Sequence, residues 1–176
     1  MPAAGAARLG FRFLRPAPVN FTIEWDLNET GILPQCGPGG WTVSNDGRTV
    51  RFSFQNSANC GGCNPLRQTG VATASIYTGS NNYQFQPVLQ GRGEQEDSNF
   101  DTMNLYLDNV LITQARAPGG KLGCAVAAPA VIVPPVPPMF TLTKFRTYEF
   151  ELRADTIDSL FHVNAYYEAA LNFFVL

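Results

Sequence analysis

Phe21-Thr22-Ile23-Glu24-Trp25-Asp26-Leu27-Asn28 alternates apolar with polar side chains without a break. A period of two puts Phe21, Ile23, Trp25 and Leu27 on one face of a strand and Thr22, Glu24, Asp26 and Asn28 on the other. The stretch therefore reads as a half-buried β-strand, and the pattern recurs along the chain. Leu9, Phe11 and Phe13 form a shorter version upstream. Trp41-Thr42-Val43 and Val50-Arg51-Phe52-Ser53-Phe54 flank Asn45-Asp46-Gly47, residues that readily take positive φ in a hairpin turn. Val71 to Tyr77 is rich in Ala, Thr and Ile, and Tyr83, Phe85 and Leu89 alternate with Gln84, Gln86 and Gln90. The strongest local hairpin is Asn104-Leu105-Tyr106-Leu107, then the turn Asp108-Asn109, then Val110-Leu111-Ile112-Thr113. Tyr148, Phe150 and Leu152 alternate with Glu149, Glu151 and Arg153, and Phe161, Val163, Ala165 and Tyr167 follow the same rule.

No stretch carries a 3.6-residue apolar stripe with caps; Asp155 to Leu160 offers at most one helical turn. Short strands punctuated by 16 Gly and 13 Pro predict an all-β chain. The expected architecture is a single antiparallel β-sandwich or barrel of jelly-roll type, with about eight to ten strands in one domain over residues 1–176.

Composition narrows the function classes. The 176 residues are 45 % apolar with 13 Phe and 2 Trp, which excludes a disordered chain. No uninterrupted apolar stretch approaches the roughly 18 residues of a transmembrane helix. A formal charge of −2 argues against direct nucleic-acid binding, which would call for a basic stripe. Charged residues make up 15 % of the chain, against about 25 % in an ordinary soluble domain. Either Asn, Gln, Ser and Thr coat the surface, or partners cover much of it. The opening residues 1–19 show neither the apolar core nor the cleavage site of a secretory signal, so synthesis into a cytoplasm is expected.

Residues 127–140 break the strand pattern with Pro129, Pro134, Pro135, Pro137 and Pro138. Proline lacks a ladder donor and holds φ near −65°, so the segment is extended and is not a central strand. It reads as a stiff crossover on one sheet or as an arm on a neighbouring subunit. Cys36, Cys60, Cys63 and Cys124 are compatible with free thiols, disulfides or a metal, and sequence does not choose among them. His162, the single histidine, falls on the polar side of a strand and no G-x-S-x-G accompanies it.

Glu94, Glu96, Asp97, Asn99 and Asp101 place five oxygen-bearing side chains in one stretch after Gly91-Arg92-Gly93. Ca²⁺ takes six to eight oxygens, so Asp97 and Asp101 are the residues that would ligate it; a solvated acidic loop is the plainer reading. No other cofactor is expected. Tyr77, Tyr83, Tyr106 and Tyr166 each offer an apolar ring face and a hydrogen-bonding tip suited to sugar rings or to a subunit interface.

Three resemblances follow from these residues. Glu24-Trp25-Asp26-Leu27-Asn28-Glu29 resembles the E-x-D-x-x-E catalytic strand of laminarinase-like glycosidases, which implies a nucleophile at Glu24 and an acid/base at Glu29. The plainer reading is the polar face of a strand, and the chain is expected not to be an enzyme. Asn104 to Ile112 is similar to the Tyr-x-Asp-Gly hairpin of lectin-like sandwiches, with Asn109 in place of the Gly. The third rests on length, strand pattern, low charge, the Pro-rich segment and the apolar ending Leu171-Asn172-Phe173-Phe174-Val175-Leu176. In these the chain resembles the small single-jelly-roll capsid proteins of tailless icosahedral DNA viruses. That resemblance implies a self-assembling virion subunit, with itself and a second capsid protein as partners and Pro134, Pro135, Phe173, Phe174 and Leu176 at the interface. The alternative is a non-catalytic carbohydrate-binding or adhesive β-sandwich module.

Overall fold

The computed structural model describes residues 22–31, 39–56, 66–94, 102–116, 130–132, 138–158 and 163–176. Leu9–Phe13, the four cysteines, Asp97, Asp101, Pro134, Pro135 and His162 lie outside them. Eleven strands and no helix occur among the described residues: β1 (Asp26–Thr30), β2 (Gly40–Val43), β3 (Thr49–Asn56), β4 (Leu66–Tyr77), β5 (Tyr83–Glu94), β6 (Thr102–Leu107), β7 (Val110–Arg116), β8 (Ala130–Ile132), β9 (Phe140–Leu142), β10 (Thr147–Asp158) and β11 (Val163–Val175).

They form two antiparallel sheets, one in the order β1-β4-β10-β6-β7 and one in the order β2-β3-β11-β5-β8, with β9 also paired to β5. Most connections carry the chain from one sheet to the other, as in a jelly roll. The expected all-β sandwich is therefore what the chain forms. The Pro-rich stretch enters it as β8, an edge strand paired through Ala130–Ile132 with Gly91–Gly93. An edge place is where a chain short of ladder donors belongs.

The core is the alternate residue of each long strand. Ala72, Ala74 and Ile76 of β4 pair with Leu152, Phe150 and Tyr148 of β10, and across the sandwich lie Val50, Phe52, Phe85, Leu89, Tyr167, Ala169 and Leu171. Phe85 stacks on Phe173 at 4.8 Å between ring centroids and meets Phe150 edge-on at 5.1 Å. Phe173, expected at a subunit interface, is thus a core residue only 2 % exposed. The reason is topological: β11 lies between β3 and β5, and although its ladder with β3 ends at Ala170, Leu171–Val175 pair with Pro87–Tyr83 of β5, which turns Leu171 and Phe173 inward. Phe174 is half-buried on the outer face and Leu176 is exposed. The helical turn expected from Asp155 is also corrected. β10 continues through Asp158, with Asp155 paired to Thr69 on one side and Thr102 on the other.

Two turns follow the sequence closely. Asp108 and Asn109 take φ of 49° and 64°, the paired positive values of a type I′ hairpin turn. Gly47 takes φ of 71°, and a Cβ there would run into the Ile23 carbonyl. That carbonyl belongs to the segment leading into β1, which docks on the β2–β3 turn through Ile23 N–H to Asp46 O (3.0 Å) and Trp25 Nε1–H to Gly47 O (2.7 Å).

Candidate functional site

Docking Ile23 and Trp25 inward leaves the other row of the opening strand facing out. β1 pairs with β4 so that Asp26 lies opposite Thr73 and Asn28 opposite Val71, all on the outer face of the sheet. Along β4 the outward residues are Val71, Thr73, Ser75 and Tyr77, alternating with the buried Ala72, Ala74 and Ile76. Three of these four are small, so the sheet surface is low there. Three depressions of about 380, 440 and 520 Å³ result.

The depressions join end to end. The first is lined by Thr22, Ser75, Tyr77, Gly79 and Tyr83, the second by Glu24, Asp26, Thr73, Ser75 and Glu149, the third by Asp26, Asn28, Val71 and Thr73. Ser75 is shared by the first two, and Asp26 and Thr73 by the last two. Together they make a groove that follows β4 from Tyr77 to Val71, about 20 Å at the rise of a β-strand. The polar row Thr22, Glu24, Asp26, Asn28 forms one wall, and Glu149 of β10 stands on the other.

The chemistry of the groove is that of hydrogen-bond acceptors over a hydroxyl-bearing floor. Ser75 Oγ–H donates to Glu149 Oε2 at 2.6 Å, which fixes that carboxylate, while the Glu149 amide donates to Asp108 Oδ1 at 3.0 Å. Glu24 and Asp26 have no side-chain hydrogen bond or ion pair among the described residues. Within the described residues, their oxygens are open to hydroxyl protons from a ligand. Tyr77, 64 % exposed, supplies an aromatic surface at one end. Beyond the other end, Arg67 pairs with Asp155 through two hydrogen bonds of 3.0 and 2.6 Å. No group of three or more His, Cys, Asp or Glu suited to a metal ion occurs among the described residues.

The E-x-D-x-x-E expectation meets a different geometry. Glu24 and Asp26 share the groove wall, but Glu29 falls on the opposite row and its Oε2 accepts the Trp41 amide at 2.9 Å. An offset of five residues along a strand reverses the face, so the two glutamates of the motif are not brought together.

The four tyrosines separate. Tyr77 and Tyr83 both line the groove end, Tyr83 being half-buried and packed against the core. Tyr106 lies on the outer face of the same sheet beneath the Arg153 guanidinium at 4.7 Å. Tyr166 lies on the other sheet beneath Arg51 at 4.2 Å. The hairpin with lectin-like spacing forms, but its Asp108 carboxylate is engaged within the protein, by the Glu149 amide and by Arg146 Nη2 at 2.7 Å. Thr73, Ser75 and Glu149 were not singled out by sequence reasoning; small hydroxyl residues at alternate positions of a strand are the signal that points to them.

No protein-family model matches the sequence, and no curated protein matches it. Among solved structures, the chain superposes on TmCBM61 in complex with β-1,4-galactotriose with a TM-score of 0.38 and 5 % identity, over 86 % of this chain and 88 % of that one. A family 35 carbohydrate binding module from Clostridium thermocellum superposes with a TM-score of 0.28 and 11 % identity, over 76 % and 98 %. A β-glucosidase from Kluyveromyces marxianus in complex with glucose gives a TM-score of 0.31 and 13 % identity over 60 % of this chain. The match spans only 10 % of that enzyme's length. Similarity at this level assigns no family.

Proposed function

We propose that the chain is a non-catalytic carbohydrate-binding β-sandwich that holds an extended, neutral glycan chain in the groove along β1 and β4. The observation that carries this reading is the continuity of the groove from Tyr77 to Val71, with acceptors on its walls and small side chains on its floor. Each depression has the size of a small-molecule site, about 300–1,000 Å³, yet the three are open and in line, which suits a chain rather than a compact ligand. Sugars present many hydroxyl donors and one apolar face per ring. Glu24, Asp26 and Asn28 offer acceptors for the former, and the Tyr77 ring offers a surface for the latter. The same carboxylates oppose sulfated or uronic-acid chains by like-charge repulsion.

One support of the capsid-type reading, the apolar ending in need of a cover, is weaker than it looked, because Leu171 and Phe173 are buried in the sandwich and the ending pairs with β5. The deciding experiment is a glycan array probed with the unaltered chain and with Thr73→Trp, which fills the groove floor from an outward position. Retention on neutral oligosaccharides, lost in Thr73→Trp with an unchanged β-type spectrum, is expected. Absence of any retained glycan would overturn the proposal, and growth into sheets or shells in the same solutions would favour the capsid-type subunit.

A further inference from the structure

Phe145 has a φ of 59°. The left-handed region is costly for a bulky side chain and is ordinarily taken by Gly, Asn or Asp, as at Asp108 and Asn109. The surroundings hold it there. The Phe145 amide donates to Gly79 O at 2.7 Å, Lys144 N–H donates to Asn82 Oδ1 at 2.8 Å, and Thr78 N–H donates to Arg146 O at 3.0 Å. The Thr78 hydroxyl, in a residue 2 % exposed, lies 2.7 Å from Thr143 O and accepts the Arg146 amide.

The ring gains little from this position. Phe145 is 64 % exposed, so it adds almost nothing to the core that would offset the backbone cost. Its one described ring partner is the Lys144 ammonium, 5.6 Å from the centroid. Its place in the fold is the informative part. Thr147 pairs with Tyr77, and the bonds just given extend that ladder so that Phe145 stands opposite Gly79. Gly79 lines the groove end, and a Cβ there would meet nothing within 4 Å. A strained, exposed aromatic thus stands two residues past Tyr77 along the ladder, opposite the Gly79 that lines the groove end.

We infer that Phe145 is a binding residue that stacks on the terminal sugar ring of a glycan lying in the groove, so that the site reads a chain end. The inference rests on the groove reading. Backbone strain held in place by its neighbours and facing solvent is a feature of binding sites, where the cost is tolerated for the sake of contact. Phe has no polar tip, so it favours a ring presenting a wholly apolar face.

Phe145→Gly separates binding from folding, because glycine takes a φ of 59° without penalty. The variant is expected to melt about 2 °C higher. It is also expected to bind the best neutral oligosaccharide of the array about tenfold more weakly, whereas Phe145→Trp keeps affinity. Unchanged affinity in Phe145→Gly, with binding still lost in Thr73→Trp, would overturn the inference and leave the groove reading standing. Weaker binding accompanied by a lower melting temperature would also overturn it, because the ring would then be a structural element. Binding indifferent to Thr73→Trp would sink the groove reading itself.

Discussion

Glu29 Oε2 accepts the Trp41 amide proton at 2.9 Å, and Trp41 Nε1–H donates to Asn28 O at 3.1 Å. These two bonds join β1, the edge of one sheet, to β2, the edge of the other. An edge strand exposes unpaired backbone groups, and this contact uses some of them to close one side of the sandwich. It anchors the free edge of β1, whose other edge pairs with β4 along the groove wall.

Glu29→Ala is therefore expected to lower stability by about 1 kcal/mol, the worth of a hydrogen bond at an exposed site. Urea titration checks this. The same variant should widen the groove and weaken glycan binding, although Glu29 does not itself line the groove.

Gly70 lies on the inner face of β4, where an added Cβ would fall 2.6 Å from Trp41 Nε1 and against the Phe52 ring. Trp41 and Phe52 pack edge to face there at 4.8 Å. Gly91 is the counterpart in β5, with the Arg116 carbonyl 2.5 Å from the added atom. Alanine at either position is expected to cost about 1–3 kcal/mol through overpacking. Gly79→Ala has no such clash and should cost only its backbone strain, so thermal melts of the three variants should rank them.

Asp46 carries a pH dependence of known sign. Its carboxylate accepts Ser44 Oγ–H at 2.6 Å and the Arg48 amide at 3.1 Å, and the Ser44 bond above all holds its pKa below the ordinary aspartate value of 3.8. A depressed folded-state pKa contributes stability above the unfolded value that is lost as pH falls through the folded one. Asp46→Asn should therefore be less stable than the parent at neutral pH, with the difference shrinking below about pH 4. Melting curves of both proteins between acid and neutral pH measure it.

On the opposite face, Arg51 Nη2 and Nε meet Glu168 Oε2 at 2.6 and 3.1 Å, and Gln90 Nε2 donates to Oε1 at 2.7 Å. Glu168 is 17 % exposed, so Glu168→Ala would leave Arg51 and Gln90 short of a partner. A loss of about 1–3 kcal/mol is expected. Glycan affinity should not change, because this network lies on the other sheet.

Much of this was legible in residues 21–28. Their alternation gives the inward row of Ile23 and the half-buried Trp25 and the polar row that walls the groove, but Leu27, expected on the inward row, is 46 % exposed at the sheet edge, and Phe21 lies outside the described residues. Asp108-Asn109 likewise announces its turn, because Asx residues tolerate the two positive φ values. The glycosidase-like motif from Glu24 to Glu29 matches residue types alone, while parity along the strand decides the face, so the plainer reading of a polar strand face is the one the geometry fits. Phe173 was misread because an apolar terminus looks uncovered until its pairing is known. The alternation Tyr167, Ala169, Leu171, Phe173 already marks one inward row. The groove floor was hidden because Val71 to Tyr77 carries small residues on both rows, so pattern alone does not tell which one faces solvent. Phe145 gave no local signal, since the bonds that hold its backbone come from Gly79 and from turns distant in sequence.

The most direct test of the groove is amide chemical-shift mapping of the unaltered chain during titration with the best neutral oligosaccharide of the array. The account predicts shifts clustered on residues 22–28 and 71–79 and at Glu149, with those around Arg51, Gln90 and Glu168 unmoved. Shifts centred on Arg51, Tyr166 and Glu168 instead would place the ligand on the opposite sheet and contradict it.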